Sequence, residues 1–214
     1  MPLVKCKAIL FDMDGTLVDS TICVEAIWSR WAERHGLEAS RILAASHGRR
    51  TLDTLRDVAP HLDLAQEAML LDAEELESTE GIEAVQGAAA LLRTLPQHGW
   101  AVVTSAGRAL AELRLGCAGL PIPEVLVCAD DVAEGKPNPA GYLRAARLLG
   151  VAPDQCLVVE DTPAGILAGR SAGMQVLALT TTYPAASLLE AHCIGDFCQT
   201  QVVPGPDGIE LQIS

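Results

Sequence analysis

The strongest constraint on this chain is a series of short apolar runs, each ending in polar or glycine residues. Residues 8–11, 100–103, 125–128, 156–159 and 176–179 are each of strand length and rich in Val, Ile or Leu. Runs without polar alternation are what strands buried on both faces look like. Amphipathic stretches lie between most of them, at 86–98, 108–115, 139–149 and 163–172. Strand and helix in alternation predict an α/β chain built on a doubly wound, Rossmann-like parallel sheet.

One segment breaks the alternation. Residues 17–83 contain no convincing strand, only helical pattern. Asp19 or Ser20 is placed to cap a helix that runs to His35 and stops at Gly36, and further helices are expected over 40–45, 52–58 and 64–77. A helical block inserted after the first strand reads as a cap over an α/β site. The expected division is therefore an α/β core of residues 1–16 and 84–214, with a helical cap of residues 17–83. Near the end, residues 201–213 carry PGPDG between apolar residues and read as a hairpin.

Composition narrows the partners. A formal net charge of -13 argues against a nucleic-acid binder, which needs a basic patch. The seven cysteines are odd in number, scattered and without a CxxC pair, so neither a disulfide framework nor a zinc site is expected. Most of them sit among apolar residues and read as small buried hydrophobes in a reducing cytosol. No apolar run approaches the ~20 residues that span a bilayer. The opening MPLVKCKAILFDMDG is not signal-peptide-like, because its apolar run is short and leads directly into acids. The expectation is a cytoplasmic protein, monomeric or a weak dimer, with no nucleic-acid or membrane partner.

In open α/β sheets the ligand site lies beyond the carboxyl ends of the strands. Polar residues of this chain gather at those ends. The first run leads into Asp12, Asp14, Gly15 and Thr16; the second into Thr104 and Ser105; the fourth into Glu160 and Asp161. Lys136 sits in GKPNP, in the loop after the third. Asp12, Asp14 and Asp161 side by side would repel one another strongly without a cation. Carboxylate oxygens suit a hard ion such as Mg²⁺, which takes one or two carboxylates, waters and substrate phosphate. A carboxylate attacking phosphorus must approach an anion, and Mg²⁺ with the Lys136 ammonium would offset that repulsion. Thr104 can donate to a phosphoryl oxygen, and Asp14 can protonate a leaving oxygen and then activate water.

In that order and spacing, FDMDGTLVDS, VVTS, GKPNP and VVEDTPAGILAGRSAGM resemble the four motifs of the haloacid dehalogenase-like superfamily, in the branch whose helical cap follows the first strand. The resemblance spans nearly the whole chain. It implies a phosphatase with Asp12 as nucleophile and Asp14 as acid and base. Thr104, Ser105 and Lys136 fall on the phosphate; Asp12, the Asp14 backbone carbonyl and Asp161 fall on Mg²⁺, with Glu160 supporting the metal site.

Relatives on this scaffold do different chemistry. Dehalogenases lack the aspartate matching Asp14. Phosphonoacetaldehyde hydrolases need a cap lysine, and residues 17–83 contain none. β-Phosphoglucomutases share all four motifs but carry a cap histidine where Val24 stands, and they too use a cap lysine. A catalytically idle binding protein would have lost one of the aspartates. The cap segment HGRRTLDTLRDVAP resembles that of fungal glycerol-phosphate and deoxyglucose-phosphate phosphatases and of bacterial sugar and sugar-alcohol phosphatases. The resemblance implies a small sugar or polyol phosphate as substrate, with His47, Arg49 and Arg50 reading the leaving group. The bland alternative is a solvated turn whose arginines pair with cap acids such as Asp53. Trp28 and Trp31 are expected to pack cap helices.

Overall fold

In the computed structural model, which describes residues 3–205 and 208–213, the chain opens with β1 (Leu3–Cys6), β2 (Ala8–Phe11) and a short β3 (Val18–Asp19). Helices α1 (Thr21–His35), α2 (Ala39–Ser46), α3 (Thr51–Val58) and α4 (Leu64–Glu77) follow, then a short β4 (Glu83–Ala84). Next come α5 (Ala88–Thr94), β5 (Trp100–Val103), α6 (Arg108–Cys117), β6 (Leu126–Val127), α7 (Ala140–Leu149) and β7 (Cys156–Glu160). The chain ends with α8 (Pro163–Ser171), β8 (Gln175–Leu179), β9 (His192–Ile194), β10 (Thr200–Gly205) and β11 (Gly208–Ile213).

Among the described residues the main sheet has six strands in the order β6-β5-β2-β7-β8-β9, and every pairing in it is parallel. Its two faces are read directly off the strands. Ile9, Phe11, Trp100, Val102, Leu157 and Val159 join a core with α5 and α6, while Ala8, Leu10, Ala101, Val103, Cys156 and Val158 face Tyr142, Ala145, Ala146 and Ala168 of α7 and α8. Side chains alternate across a strand, so burial on both faces makes the whole run apolar.

The expected helices of the insert are all present, and α1 ends at Gly36 in the left-handed conformation with φ 63°. Ser20 holds the N-cap position, but its hydroxyl does not bond the helix backbone; Asp19 Oδ1 instead accepts from the Thr21 amide at 3.1 Å. The insert's Ile27, Trp28, Trp31, Ile42, Leu55 and Leu71 belong to the same apolar cluster as the α5/α6 face of the sheet. Trp31 is fully buried and its indole N–H donates to Glu67 at 2.8 Å, as a packing residue should.

Three features depart from the expectations. β3 and β4 pair antiparallel through Val18↔Ala84 and Asp19↔Glu83, at the point where the helical insert leaves and returns, so 17–83 is not wholly helical. The C-terminal hairpin of β10 and β11 is present, with residues 206 and 207 of PGPDG outside the described residues, but β1 also joins it as a third strand. The helix expected over 86–98 is cut to α5, because Leu95 is extended ahead of Pro96.

Candidate active site

The carboxyl ends of the central strands deliver the acids. Asp12 follows β2, and its amide donates to Val159 O at 3.0 Å across the β2–β7 pair. Glu160 closes β7 and Asp161 follows it. After Asp12 the chain turns sharply: the amides of Thr16, Leu17 and Val18 all donate to Met13 O, and Gly15 takes φ +80°. Gly15 is required there twice over, by its conformation and by space, since a Cβ would collide with the Asp161 carboxylate. Thr181 Oγ1 donates to Gly15 O and pins the turn from β8's side.

Lys136 is 7% exposed and lies between two carboxylates, donating to Asp12 Oδ1 and, at 2.6 Å, to Glu160 Oε1. Burial pulls its ammonium pKa down, but Asp12 and Glu160 together push it back above the ordinary lysine value. Glu160 is fully buried and fully occupied: Oε1 also accepts from Tyr142 Oη at 2.9 Å, and Oε2 accepts from the amides of Asp161 and Thr162 and from Thr162 Oγ1. Thr162 in turn caps α8 by accepting from the Gly165 amide at 3.2 Å.

Asp161 is different. Its Oδ1 accepts from Thr16 Oγ1 at 3.0 Å, while Oδ2 is buried with no hydrogen-bond partner. Burial, then the neighbouring Glu160 charge, raises its pKa to about 7. Burial raises Asp12 well above the usual carboxylate range too, with Lys136 pulling the other way. Oxygens of Asp12, Glu160 and Asp161 lie within 4.8 Å of one another, so three acids share one ammonium. A buried carboxylate oxygen without a partner, in a cluster short of positive charge, fits a hard divalent cation. Asp12 and Asp161 have oxygens to offer it; Glu160 has already given both of its own to Lys136, Tyr142 and the α8 N-terminus.

Thr104 follows β5, is nearly buried, and accepts from the Ala106 amide at 3.0 Å, which leaves its hydroxyl proton free to donate. Ser105, expected on the phosphate, donates its hydroxyl to Gly48 O of the cap at 2.9 Å. Gly48 makes that contact possible: at φ +73°, with no Cβ to strike Thr162, the loop between α2 and α3 lies directly on the core.

The remaining cap residues are split by this docking. Arg50 reaches across to Val132 O and Ala133 O at 2.9 and 3.2 Å, ahead of the Lys136 loop, and acts as a tie between cap and core. Arg49 pairs with Asp57 at 2.6 Å and also donates to Asp53 O, yet it lines the cavity between cap and core. His47 lines the same cavity, edge-on to Tyr183 at 6.0 Å, and burial lowers its pKa. Trp28 contributes to the cavity wall as well as to cap packing.

Asp14 opens onto this cavity and is held from two sides. Ser20 Oγ donates to its Oδ1 at 2.7 Å, and Arg114 Nη1 donates to its Oδ2 at 2.9 Å. Arg114, from α6, also donates to Glu75 of α4 at 3.3 Å. Neither Arg114 nor Glu75 was among the expected site residues. A signal existed: in α6 the buried positions are Leu110, Ala111, Arg114 and Leu115, so an arginine stands in the helix's apolar stripe. Glu75 likewise falls four residues after the buried Leu71 of α4.

Residues 6–173 match the model of the haloacid dehalogenase-like hydrolase family. The chain belongs to that family. It is 46% identical to hexitol phosphatase A of Escherichia coli (strain K12) over 89% of its own length and 90% of that protein. It is 33% identical to glycerol-1-phosphate phosphohydrolase 2 of Saccharomyces cerevisiae, covering 88% and 80% of the two chains. A crystal structure of a hydrolase from Pseudomonas syringae superposes with a TM-score of 0.77 at 28% identity, covering 88% of this chain and 91% of that one. Within the family the chain is an enzyme of the phosphatase kind, a phosphoric monoester hydrolase.

Proposed function

We propose that the protein is a Mg²⁺-dependent phosphomonoesterase for small sugar or polyol phosphates, working through an aspartyl phosphate on Asp12. The observation that carries the chemistry is the buried trio of Asp12, Lys136 and Asp161, with the unpartnered Asp161 oxygen beside the attacking carboxylate. The substrate class rests on similarity to the hexitol and glycerol-phosphate phosphatases.

In this reading Asp12 attacks phosphorus and displaces the leaving alcohol, whose oxygen takes a proton from Asp14. Ser20 and Arg114 fix the direction in which Asp14 points. Asp14 then takes a proton from water as that water attacks the acyl phosphate, which releases inorganic phosphate and regenerates Asp12. Thr104 and Lys136 donate to the equatorial phosphoryl oxygens, where charge accumulates. Asp12, Asp161 and the Asp14 backbone carbonyl would hold Mg²⁺, which supplies charge neutralisation of the phosphoryl group. Glu160 supports the site indirectly, by fixing Lys136 and the Asp161–Thr162 backbone. Helices 21–77 serve as the lid over residues 1–16 and 84–214; their closure shields the first transfer and encloses the leaving group, and the attacking water enters once the alcohol has left.

A mutase would need a proton-transfer group on the cap. The β-phosphoglucomutase histidine is replaced by Val24, which lines the cavity, and residues 17–83 hold no lysine, which favours water as the acceptor. The test is hydrolysis of hexitol, glycerol and deoxyglucose phosphates with Mg²⁺ and then with EDTA. Turnover with Mg²⁺ that EDTA abolishes supports the reading. Turnover undiminished by EDTA, or phosphoryl transfer to a second sugar in preference to water, would overturn it.

A further inference from the structure

The cavity beside Asp14 has a charge balance that bears on its substrate. It measures about 80 Å³, and its charged walls are Asp14, Glu75, Arg49 and Arg114. Both arginines are already neutralised. Arg114, 3% exposed, is shared between Asp14 and Glu75, and Arg49 is paired with Asp57. Acids are in excess, and His47 adds no cation, because burial lowers its pKa.

Glu75 is the unusual member of this group. It is 8% exposed, comes from the cap, and engages only Oε1, in a long bond to Arg114. A carboxylate has about four acceptor positions, so most of its capacity is unused. Thr51, Ser46 and the Trp28 ring complete the wall around it. A leaving group with hydroxyls would satisfy Glu75 as donor. A leaving group with a carboxylate or a second phosphate would meet Glu75 and Asp14 with no unpaired cation to offset them.

We propose that Glu75, anchored by Arg114, is the residue that selects the leaving group: it accepts hydrogen bonds from polyol hydroxyls and excludes substrates bearing a second anionic group. This rests on the phosphatase reading above and narrows its substrates to neutral, hydroxylated leaving groups carrying a single phosphate. Arg114 is a positioning residue in this scheme, since it aims both the Asp14 and the Glu75 carboxylates.

Three ester classes separate the contributions: a hexitol phosphate, phosphoglycolate as a carboxylate-bearing ester, and para-nitrophenyl phosphate, which offers neither hydroxyls nor a second anion. In Glu75→Gln, the ratio of kcat/KM for hexitol phosphate to that for para-nitrophenyl phosphate should fall about ten- to a hundredfold, the worth of a hydrogen bond to a charged group. The ratio for phosphoglycolate should rise. Glu75→Asp keeps the charge but shortens the reach, so it should lose hexitol preference while still rejecting phosphoglycolate; melting curves identify any variant that has simply misfolded. Unchanged ratios in Glu75→Gln, or a preference of the unmodified enzyme for phosphoglycolate over hexitol phosphate, would overturn the inference alone. Failure of the unmodified protein to hydrolyse any of the three would overturn the phosphatase reading and the inference with it.

Discussion

Replacing Glu160 by Gln should destabilise the protein before it affects metal binding. The side chain is fully buried, and five donors converge on it: Lys136 at 2.6 Å, Tyr142 at 2.9 Å, the Asp161 and Thr162 amides at 3.0 and 3.1 Å, and Thr162 Oγ1 at 3.0 Å. A glutamine has one acceptor oxygen. Its NH₂ must therefore face either the ammonium and the tyrosine hydroxyl or the two amides, donor against donor. Lys136 would be left with Asp12 alone. Breaking a buried pair of this kind costs about 3–5 kcal/mol. For a chain of this size each kcal/mol moves the melting midpoint by about 2–4 °C, so a fall of roughly 6–20 °C is expected. The assay is thermal unfolding followed by circular dichroism, in EDTA and again with Mg²⁺, alongside the Mg²⁺ concentration for half-maximal activity. A fall of similar size in both conditions is expected. If the midpoint in EDTA moves by less than about 2 °C while the Mg²⁺ requirement rises sharply, Glu160 is a metal ligand and its assignment as an anchor is wrong.

The Asp161 pKa of about 7 lies above the ordinary aspartate value of 3.8, so the folded, metal-free protein holds this proton more tightly than the unfolded chain. That contribution to stability is complete below about pH 4 and is lost as pH rises through about 7. Mg²⁺ competes with the proton, so the thermal shift it produces should grow from pH 5.5 to about pH 8; a shift independent of pH would contradict this. Gly48→Ala should cost about 1–2 kcal/mol in urea unfolding, because the loop needs positive φ and Thr162 occupies the space of a Cβ. It should also lower kcat/KM for every substrate by loosening the cap, and an unperturbed variant would show that the loop does not dock. Arg49→Ala should reduce kcat/KM for hexitol phosphate by about ten- to a hundredfold more than for para-nitrophenyl phosphate. Equal losses would make Arg49 a cap-closure residue, and no loss would leave it a partner of Asp57 alone.

The central sheet was legible because β2, β5, β7 and β8 are covered on both faces, and such strands advertise themselves as apolar runs. β9 and β1 were not: His192–Ile194 and Leu3–Cys6 lie at sheet edges, are only partly buried, and carry too little apolar pattern. The two-residue β3 and β4 leave no period to detect. At the site, residues adjacent in sequence to strand ends were readable from position and chemical type, which is why Asp12, Thr104 and Asp161 were expected before their geometry was known, while Lys136 was expected from the GKPNP loop beyond β6. Ser105 was placed by its strand-end position and Arg50 by the cap segment's resemblance, and neither reveals that the α2–α3 loop docks closely enough to engage both of them in holding the cap. Arg114 and Glu75 lie 39 residues apart on different helices. Only the packing of α4 against α6 brings them to Asp14, although a charged residue in each apolar stripe marked them as candidates.

The mechanism turns on Asp12 as the nucleophile. Acid quenching during turnover of a hexitol phosphate, followed by borohydride reduction and peptide mass analysis, converts an aspartyl phosphate to homoserine. Homoserine is expected at position 12 of the unmodified enzyme, and Asp12→Asn, which keeps the shape but not the attacking charge, should neither turn over nor be labelled. Homoserine at another aspartate, or substantial steady-state hydrolysis by a folded Asp12→Asn protein, would contradict the mechanism.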